Sequence, residues 1–111
     1  MNLNKLIGEY KGNARIYLEG SILSSNGFGV GDRYYVYAGT NNICLAKSEI
    51  KGWTANSKKK VSKKVKSGIL IPVIDLCDGK KNQNIRTILG GKNAAITIEA
   101  ADAETIYIKR R

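Results

Sequence analysis

The sequence predicts a mainly β protein made of two copies of one unit, each carrying one short helix. Three observations predict it. The order apolar strand, helix-like run, glycines and two alternating strands occurs over residues 15–48 and recurs over 69–111. Apolar residues alternate with polar ones at Ile16/Leu18, Val36, Ile43/Leu45, Ile96 and Ile106/Ile108, the period of a half-buried strand. Glycine, asparagine and aspartate interrupt these runs where turns belong. A repeat of this length implies two supersecondary units, neither able to bury its apolar face alone. Anchored on the glycines, Val36 aligns with Ile96; anchored on the last strand, Ile43 and Leu45 align with Ile106 and Ile108.

Each element has its own signal. Residues 3–11 read as a first strand, with Lys11-Gly12-Asn13 as a turn that tolerates positive φ. From Ala14 to Glu19, Ile16 and Leu18 face one way, Arg15 and Tyr17 the other. Ser21 is placed to cap a short helix over Ile22–Asn26 by accepting from exposed backbone N–H groups. Gly27 ends that helix, and Phe28 and Val30 are expected to tuck under the sheet. Gly31-Asp32 turns into a strand over Arg33–Ala38, and Thr40-Asn41-Asn42 turns into Ile43–Ala46. In the second copy, Ile69–Val73 is a strand whose Pro72 belongs at an edge or end, because it lacks an N–H. Asp78-Gly79 marks a turn, and Asn84–Leu89 a helix with Ile85, Ile88 and Leu89 inward. Ala95–Glu99 and Thr105–Lys109 form the last hairpin.

Residues 51–68 differ in character. They hold the single Trp53 and the run Lys58-Lys59-Lys60-Val61-Ser62-Lys63-Lys64-Val65-Lys66. Val61 and Val65 are four apart, a helical spacing, but clustered lysines repel and a helix this short is marginal alone. The segment reads as a flexible basic linker that orders on a partner. It joins a first repeat, residues 1–50, to a second, residues 69–111, within one compact domain.

Composition narrows the function. With 19 Lys and Arg against 9 Asp and Glu, the chain carries a formal charge of +10. Clustered charge of that size attracts polyanions, nucleic acid ahead of an anionic membrane. There is no histidine, which removes Ser-His and Cys-His nucleophile pairs, imidazole acid–base chemistry and the commonest transition-metal ligand. Cys44 and Cys77 are too far apart for a thiol motif or zinc knuckle and read as small buried hydrophobes. No cofactor or metal is implied. No run approaches the roughly 20 apolar residues of a membrane span, and the N-terminal residues lack a signal-peptide core. The expected setting is the cytoplasm, with no membrane partner.

The residues Arg15-Ile-Tyr-Leu-Glu-Gly-Ser-Ile-Leu-Ser-Ser-Asn-Gly-Phe-Gly-Val-Gly-Asp-Arg33, followed by Tyr35–Tyr37 and Ile43–Lys47, resemble the AbrB-like swapped-hairpin proteins. That superfamily includes SpoVT/AbrB transition-state regulators, MazE-type antitoxins and SymE-like toxins. Copy one looks closest to the SymE flavour; copy two, through Ile71-Pro72 and Ile106-Tyr-Ile-Lys-Arg-Arg111, looks more like the regulators. The resemblance covers about two-thirds of the chain. The stretch Asp75–Gln83 departs from it as an insertion, and Gly90-Gly91 is one residue shorter than Gly29-Val30-Gly31. The resemblance implies two interlaced hairpin units closing a β barrel, here from one chain with a pseudo-two-fold repeat, or else from a homodimer. It also implies DNA binding through basic residues, or toxin or antitoxin activity.

The candidate nucleic-acid-binding residues are Lys11, Arg15, Arg33, Lys51, Trp53, Lys58, Lys59, Lys60, Lys63, Lys64, Lys66, Arg86, Arg110 and Arg111. Lysines suit phosphate contacts without base reading; the competing reading is a solvated surface. Six neutralised phosphates would give a slope of log K against log salt of roughly −4 to −5. Arg15, Arg33 and Arg86 are better suited to base edges, because a guanidinium forks onto guanine. Tyr17, Tyr35, Tyr37 and Tyr107 should lie opposite the main core, where they either stack bases or, the favoured reading, cover a second small core or a subunit interface. Asp75, Asp78, Asp32 and Glu19 are the only carboxylates worth weighing as a metal nuclease site; turn roles explain the Asp-Gly and Gly-Asp pairs more simply. The leading expectation is a non-enzymatic DNA- or RNA-binding protein, a regulator or SymE-like toxin. The alternative is a phage or mobile-element inhibitor that seizes the nucleic-acid channel of a protein–nucleic acid defence complex. A ribonuclease toxin ranks last, for want of a general base.

Overall fold

The computed structural model describes residues 2–78, 84–102 and 104–111. They form ten strands and two one-turn helices: β1 (Asn2–Leu6), β2 (Gly8–Tyr10), β3 (Asn13–Glu19), α1 (Ser21–Ser24), β4 (Arg33–Ala38) and β5 (Asn42–Ala46), then β6 (Ser57–Lys60), β7 (Ser62–Lys66), β8 (Ile69–Cys77), α2 (Ile85–Ile88), β9 (Ala95–Asp102) and β10 (Thr105–Arg110). A six-stranded sheet runs β1-β9-β10-β5-β4-β6, and a four-stranded sheet runs β2-β3-β8-β7. Both are antiparallel. Neither closes on itself, so the architecture is two open sheets and not the expected barrel.

Both strand orders are symmetric about their centres. Exchanging β1–β5 with β6–β10 maps each sheet onto itself, with β10–β5 and β3–β8 as the central pairs. Matching details follow that exchange. Ile7, between β1 and β2, is 1% exposed and brackets Asn93 and Ala94 with two backbone hydrogen bonds. Val61, between β6 and β7, is 2% exposed and brackets Gly31 and Asp32 in the same way. The hairpin turn Lys11-Gly12 has φ of 51° and 82°, and Ser67-Gly68 has 52° and 77°, the two left-handed residues that a tight hairpin turn needs. The N–H of Gly20 donates to Pro72 while that of Asp78 donates to Ala14.

The halves are interlaced. β1 pairs with β9, β4 with β6, β3 with β8 and β5 with β10, so every strand of the larger sheet except β1 and β6 has neighbours from both copies or its own hairpin mate. One core lies between the sheets. Ala14, Ile16, Leu18, Ile74 and Leu76 come from the smaller sheet, and Tyr34, Val36, Ile43, Leu45, Ile96, Ile98, Ile106 and Ile108 from the larger. The helices add Ile22, Leu23, Ile85 and Ile88 to the same core.

Several expectations need correction. The segment over 51–68 is no free linker: its lysines form β6 and β7, edge strands of both sheets, and Val61 is buried where the chain passes between them. The first strand breaks at Ile7 for the same reason. Val36 pairs with Leu45 and Ile98 with Ile108, so Val36 matches Ile98, and Ile96 matches Tyr34. The shift is two residues and preserves the face. Ser21 is the first helical residue and makes no side-chain cap. Gly27, with φ of 84°, ends α1: the Phe28 N–H reaches Leu23 O and the Gly27 N–H reaches Ser24 O, the paired bonds of a Schellman turn. Phe28 is buried as expected, but Val30 is 39% exposed. Pro72 lies within β8, at the point where the β3 ladder has ended at Val73, so its missing N–H costs no ladder bond to β3. Of the stretch Asp75–Gln83 expected as an insertion, Asp75 to Cys77 continue β8 and Asp78 begins a turn, while residues 79–83, with the expected Gly79 turn residue, lie outside the described residues.

Candidate nucleic-acid interface

A dense cationic surface is built by β4 and β6. Alternation along β4 turns Tyr34 and Val36 into the core and sends Arg33, Tyr35 and Tyr37 to the outer face. The register sets Lys60 opposite Arg33 and Lys58 opposite Tyr35, and directly opposed residues share a face. Arg33, Lys58 and Lys60 therefore stand together and, with Lys59, line a shallow groove of about 200 Å³. Among the described residues neither Arg33 nor Lys60 enters an ion pair. The Lys58 ammonium lies 5.4 Å from the Tyr35 ring centre, close enough for cation–π attraction.

The chain after β5 folds over the same face. Tyr37, Cys44 and Ala46 form a second small core there, with Tyr35, Ile50, Ala55 and Tyr107 packed against it. Its cover is pinned by hydrogen bonds: the Ile50 N–H donates to the Tyr37 hydroxyl at 2.8 Å, the Asn56 N–H to Val36 O at 2.8 Å, and the Ala38 N–H to Asn56 Oδ1 at 2.9 Å. Trp53 stands edge-on to Tyr37, ring centres 5.7 Å apart at 73°, and is still 55% exposed. The Tyr35 hydroxyl donates to Glu49 Oε1 at 3.3 Å. Tyr35, Tyr37, Glu49, Trp53, Ala55 and Lys58 line a cleft of about 320 Å³. Lys58 belongs to both this cleft and the cationic groove.

The pseudo-symmetric half keeps a lysine at one position, Lys5 for Lys59, and differs at the others. Register equates Arg33, Tyr35 and Tyr37 with Ala95, Thr97 and Glu99, and equates Lys58 and Lys60 with Asn4 and Leu6. The cations and aromatics at these positions of one half thus have no counterpart in the other, where Lys109 stands 5.6 Å from the Tyr107 ring centre and pairs with Glu99.

A second basic feature is the β7–β8 hairpin. The two strands remain paired from Ser62↔Val73 to Lys66↔Ile69, beyond the last β3 contact at Val73, so the hairpin projects as an arm. Its equivalent, β2–β3, is paired over only three positions. The arm bears Lys63, Lys64 and Lys66 together with Val65, Ile69 and Leu70, the last three 62%, 66% and 53% exposed. Lys64 pairs with Glu19 at 3.0 Å. That hydrogen bond raises the lysine's pKa and lowers that of the Glu19 carboxyl. Lysines on both edge strands also oppose strand addition by another chain.

The remaining sequence-predicted residues are dispersed. Arg15 is committed to Asp75, with Nε to Oδ1 at 2.9 Å and Nη2 to Oδ2 at 2.8 Å, and its guanidinium lies 5.0 Å from the Tyr17 ring and 5.6 Å from Tyr10. Donating these hydrogen bonds to Asp75 raises its pKa further. Arg86 donates to Gly12 O at 3.0 Å, beside Lys11, which sits 5.3 Å from the Tyr10 ring. Lys51 is exposed on the turn before Trp53. Arg110 is exposed at the end of β10, and Arg111 Nη2 reaches Lys5 O at 3.5 Å.

Each carboxylate weighed as a metal ligand has another task. Asp75 holds Arg15. Asp78 accepts from the N–H groups of Ile85 and Arg86, at 2.6 and 2.9 Å, at the start of α2. Asp32 accepts from the Gly29 N–H at 2.8 Å and pairs with Lys47 at 3.1 Å, the former contributing most to a lowered pKa. Glu19 holds Lys64. Among the described residues no three of Asp, Glu and Cys gather as a metal site. Cys44 and Cys77 are buried thiols in β5 and β8. Sequence reasoning missed Glu49, whose only signal was its place just before Trp53, and Tyr34, whose phase with Val36 marked it for the core. No described helix is long and apolar enough to cross a membrane. Comparison with protein-family models, with curated proteins and with solved structures finds no match.

Proposed function

We propose that the protein binds nucleic acid, gripping the phosphate backbone along the outer face of β4 and β6. The observation that carries this reading is the asymmetry of the duplicated frame. Folding explains a repeated core; it does not explain why Arg33, Lys58, Lys60, Tyr35 and Trp53 gather in one half while Ala95, Asn4, Leu6 and Thr97 occupy the other. Cations beside exposed aromatics suit a single strand, whose backbone follows the charge and whose bases meet the rings. Lysine-led contacts give weak sequence preference. Two interlaced units are also what the swapped-hairpin resemblance implies, although the open sheets depart from it. A regulator or toxin role remains part of the proposal.

The test is fluorescence anisotropy of a labelled single strand, a duplex and a structured RNA across a salt series. Replacing Arg33, Lys58 and Lys60 together by alanine should reduce the salt slope for a single strand by about 2, from roughly 0.7 per phosphate contact. No binding in dilute buffer to any of the three polyanions would overturn the reading. A second reading, in which the partner is a protein–nucleic acid complex, is favoured by the arm: Val65, Ile69 and Leu70 offer aliphatic surface that phosphates do not use.

A further inference from the structure

We infer that the cleft between Tyr35 and Trp53 is a subsite for one unstacked nucleobase, and that Glu49 makes guanine its preferred occupant. The inference rests on the nucleic-acid reading and adds to it a source of selectivity. A volume of about 320 Å³ falls at the small end of ligand sites, as a single base requires.

The walls fit a flat aromatic guest. Trp53 is more than half exposed, yet its edge contact with Tyr37 and the bonds that pin residues 50 and 56 hold it in place. An exposed indole held edge-on against buried Tyr37, with half-buried Tyr35 lining the same cleft, offers stacking surface already fixed before binding. Lys58 lines both cleft and groove, so a base in the cleft has its own phosphate within the reach of Arg33, Lys58 and Lys60.

Glu49 supplies the discrimination. An ionised carboxylate only accepts hydrogen bonds, and one of its oxygens already takes the Tyr35 hydroxyl at 3.3 Å. On the edge of an unpaired guanine, N1–H and the N2 amino group are adjacent donors that match a carboxylate in pairs. Cytosine and adenine present one amino donor beside an acceptor. In thymine and uracil, N3–H is flanked by two carbonyls that the carboxylate repels. A negative charge beside a phosphate track weakens backbone binding, and contact with base donors is the interaction that offsets it. The equivalent half has Thr97 and Glu99 where the cleft has Tyr35 and Tyr37, so the stoichiometry is one base per chain.

Trp53 is the only tryptophan, which makes its emission a reporter for this cleft alone. The full chain is titrated with three labelled single strands of equal length: thymine-only, thymine with one central guanine, and a fully abasic phosphodiester. Anisotropy reads binding and tryptophan emission reads stacking. The guanine strand should quench Trp53 with saturation at one strand per chain and bind roughly tenfold or more tighter than the abasic strand. It should also bind about fivefold or more tighter than thymine alone, and Glu49→Gln should bring guanine and thymine within about twofold. Binding of the guanine strand with unchanged Trp53 emission, or a guanine preference that survives Glu49→Gln, overturns the base subsite while leaving the phosphate grip standing. No binding of any strand, the abasic one included, overturns the nucleic-acid reading and the subsite together.

Discussion

Val61 separates two accounts of the lysine run. If the run were a solvated strap, Val61 and Val65 would be equivalent, each a valine among lysines. In the structure Val61 is 2% exposed and Val65 62% exposed. Val61→Ala removes two buried carbons, worth roughly 0.8 kcal/mol each in transfer. The hole left behind adds about 1 kcal/mol if some 40 Å³ stays unfilled, at roughly 24 cal/mol per Å³. The expected loss is therefore about 2.5 kcal/mol, or roughly 10 °C in Tm for a domain of this size. Val65→Ala should change stability by less than about 0.5 kcal/mol. Urea denaturation followed by circular dichroism measures both, and a shifted midpoint with unchanged slope marks a true stability effect. Two variants within 0.5 kcal/mol of each other would refute the burial of Val61 at the passage between sheets.

Three further substitutions separate the roles already described. Arg15→Ala leaves the Asp75 carboxylate without its forked donor, and since both side chains are about a third exposed the loss should be modest, about 1 kcal/mol. Arg33→Ala should leave the urea midpoint almost unchanged and weaken oligonucleotide binding; equal stability losses at the two positions would contradict the assignment of roles. Burial pushes the Tyr34 phenol well above its usual range. A raised folded-state pKa means that its stability contribution is complete below the unfolded value near 10 and declines as pH rises beyond it. Tyr34→Phe should therefore flatten the alkaline loss of stability above about pH 10, read from urea midpoints at stepped pH.

The local rules were legible where chain pattern and packing agree. Ile16, Leu18, Val36, Ile43, Leu45, Ile106 and Ile108 all face the core as their alternation predicted, and Tyr35, Tyr37 and Tyr107 cover a second cluster on the opposite face. What stayed hidden depends on partners distant in sequence. Strands β6 and β7 have no period-2 pattern of their own; ladders to β4 and β8 impose their conformation, which propensity cannot anticipate. The one visible pattern there, Val61 and Val65 four apart, pointed to a helix. Arg15 meets Asp75 across 60 residues, and nothing local announces that pairing. Glu49 joins the cleft only because the segment after β5 folds back on Tyr35.

The interlacing also governs how the molecule is made. Asn2 pairs with Glu99, and Leu6 with Ala95, so β1 is made long before the strand it pairs with. Until then β4 and β5 lack their outer neighbours and expose apolar Val36, Ile43 and Leu45. Such distant pairing slows folding and leaves nascent chains prone to aggregate. The lysines of β6 and β7 are made before β8 to β10, and like charge opposes contact between two such partly made chains.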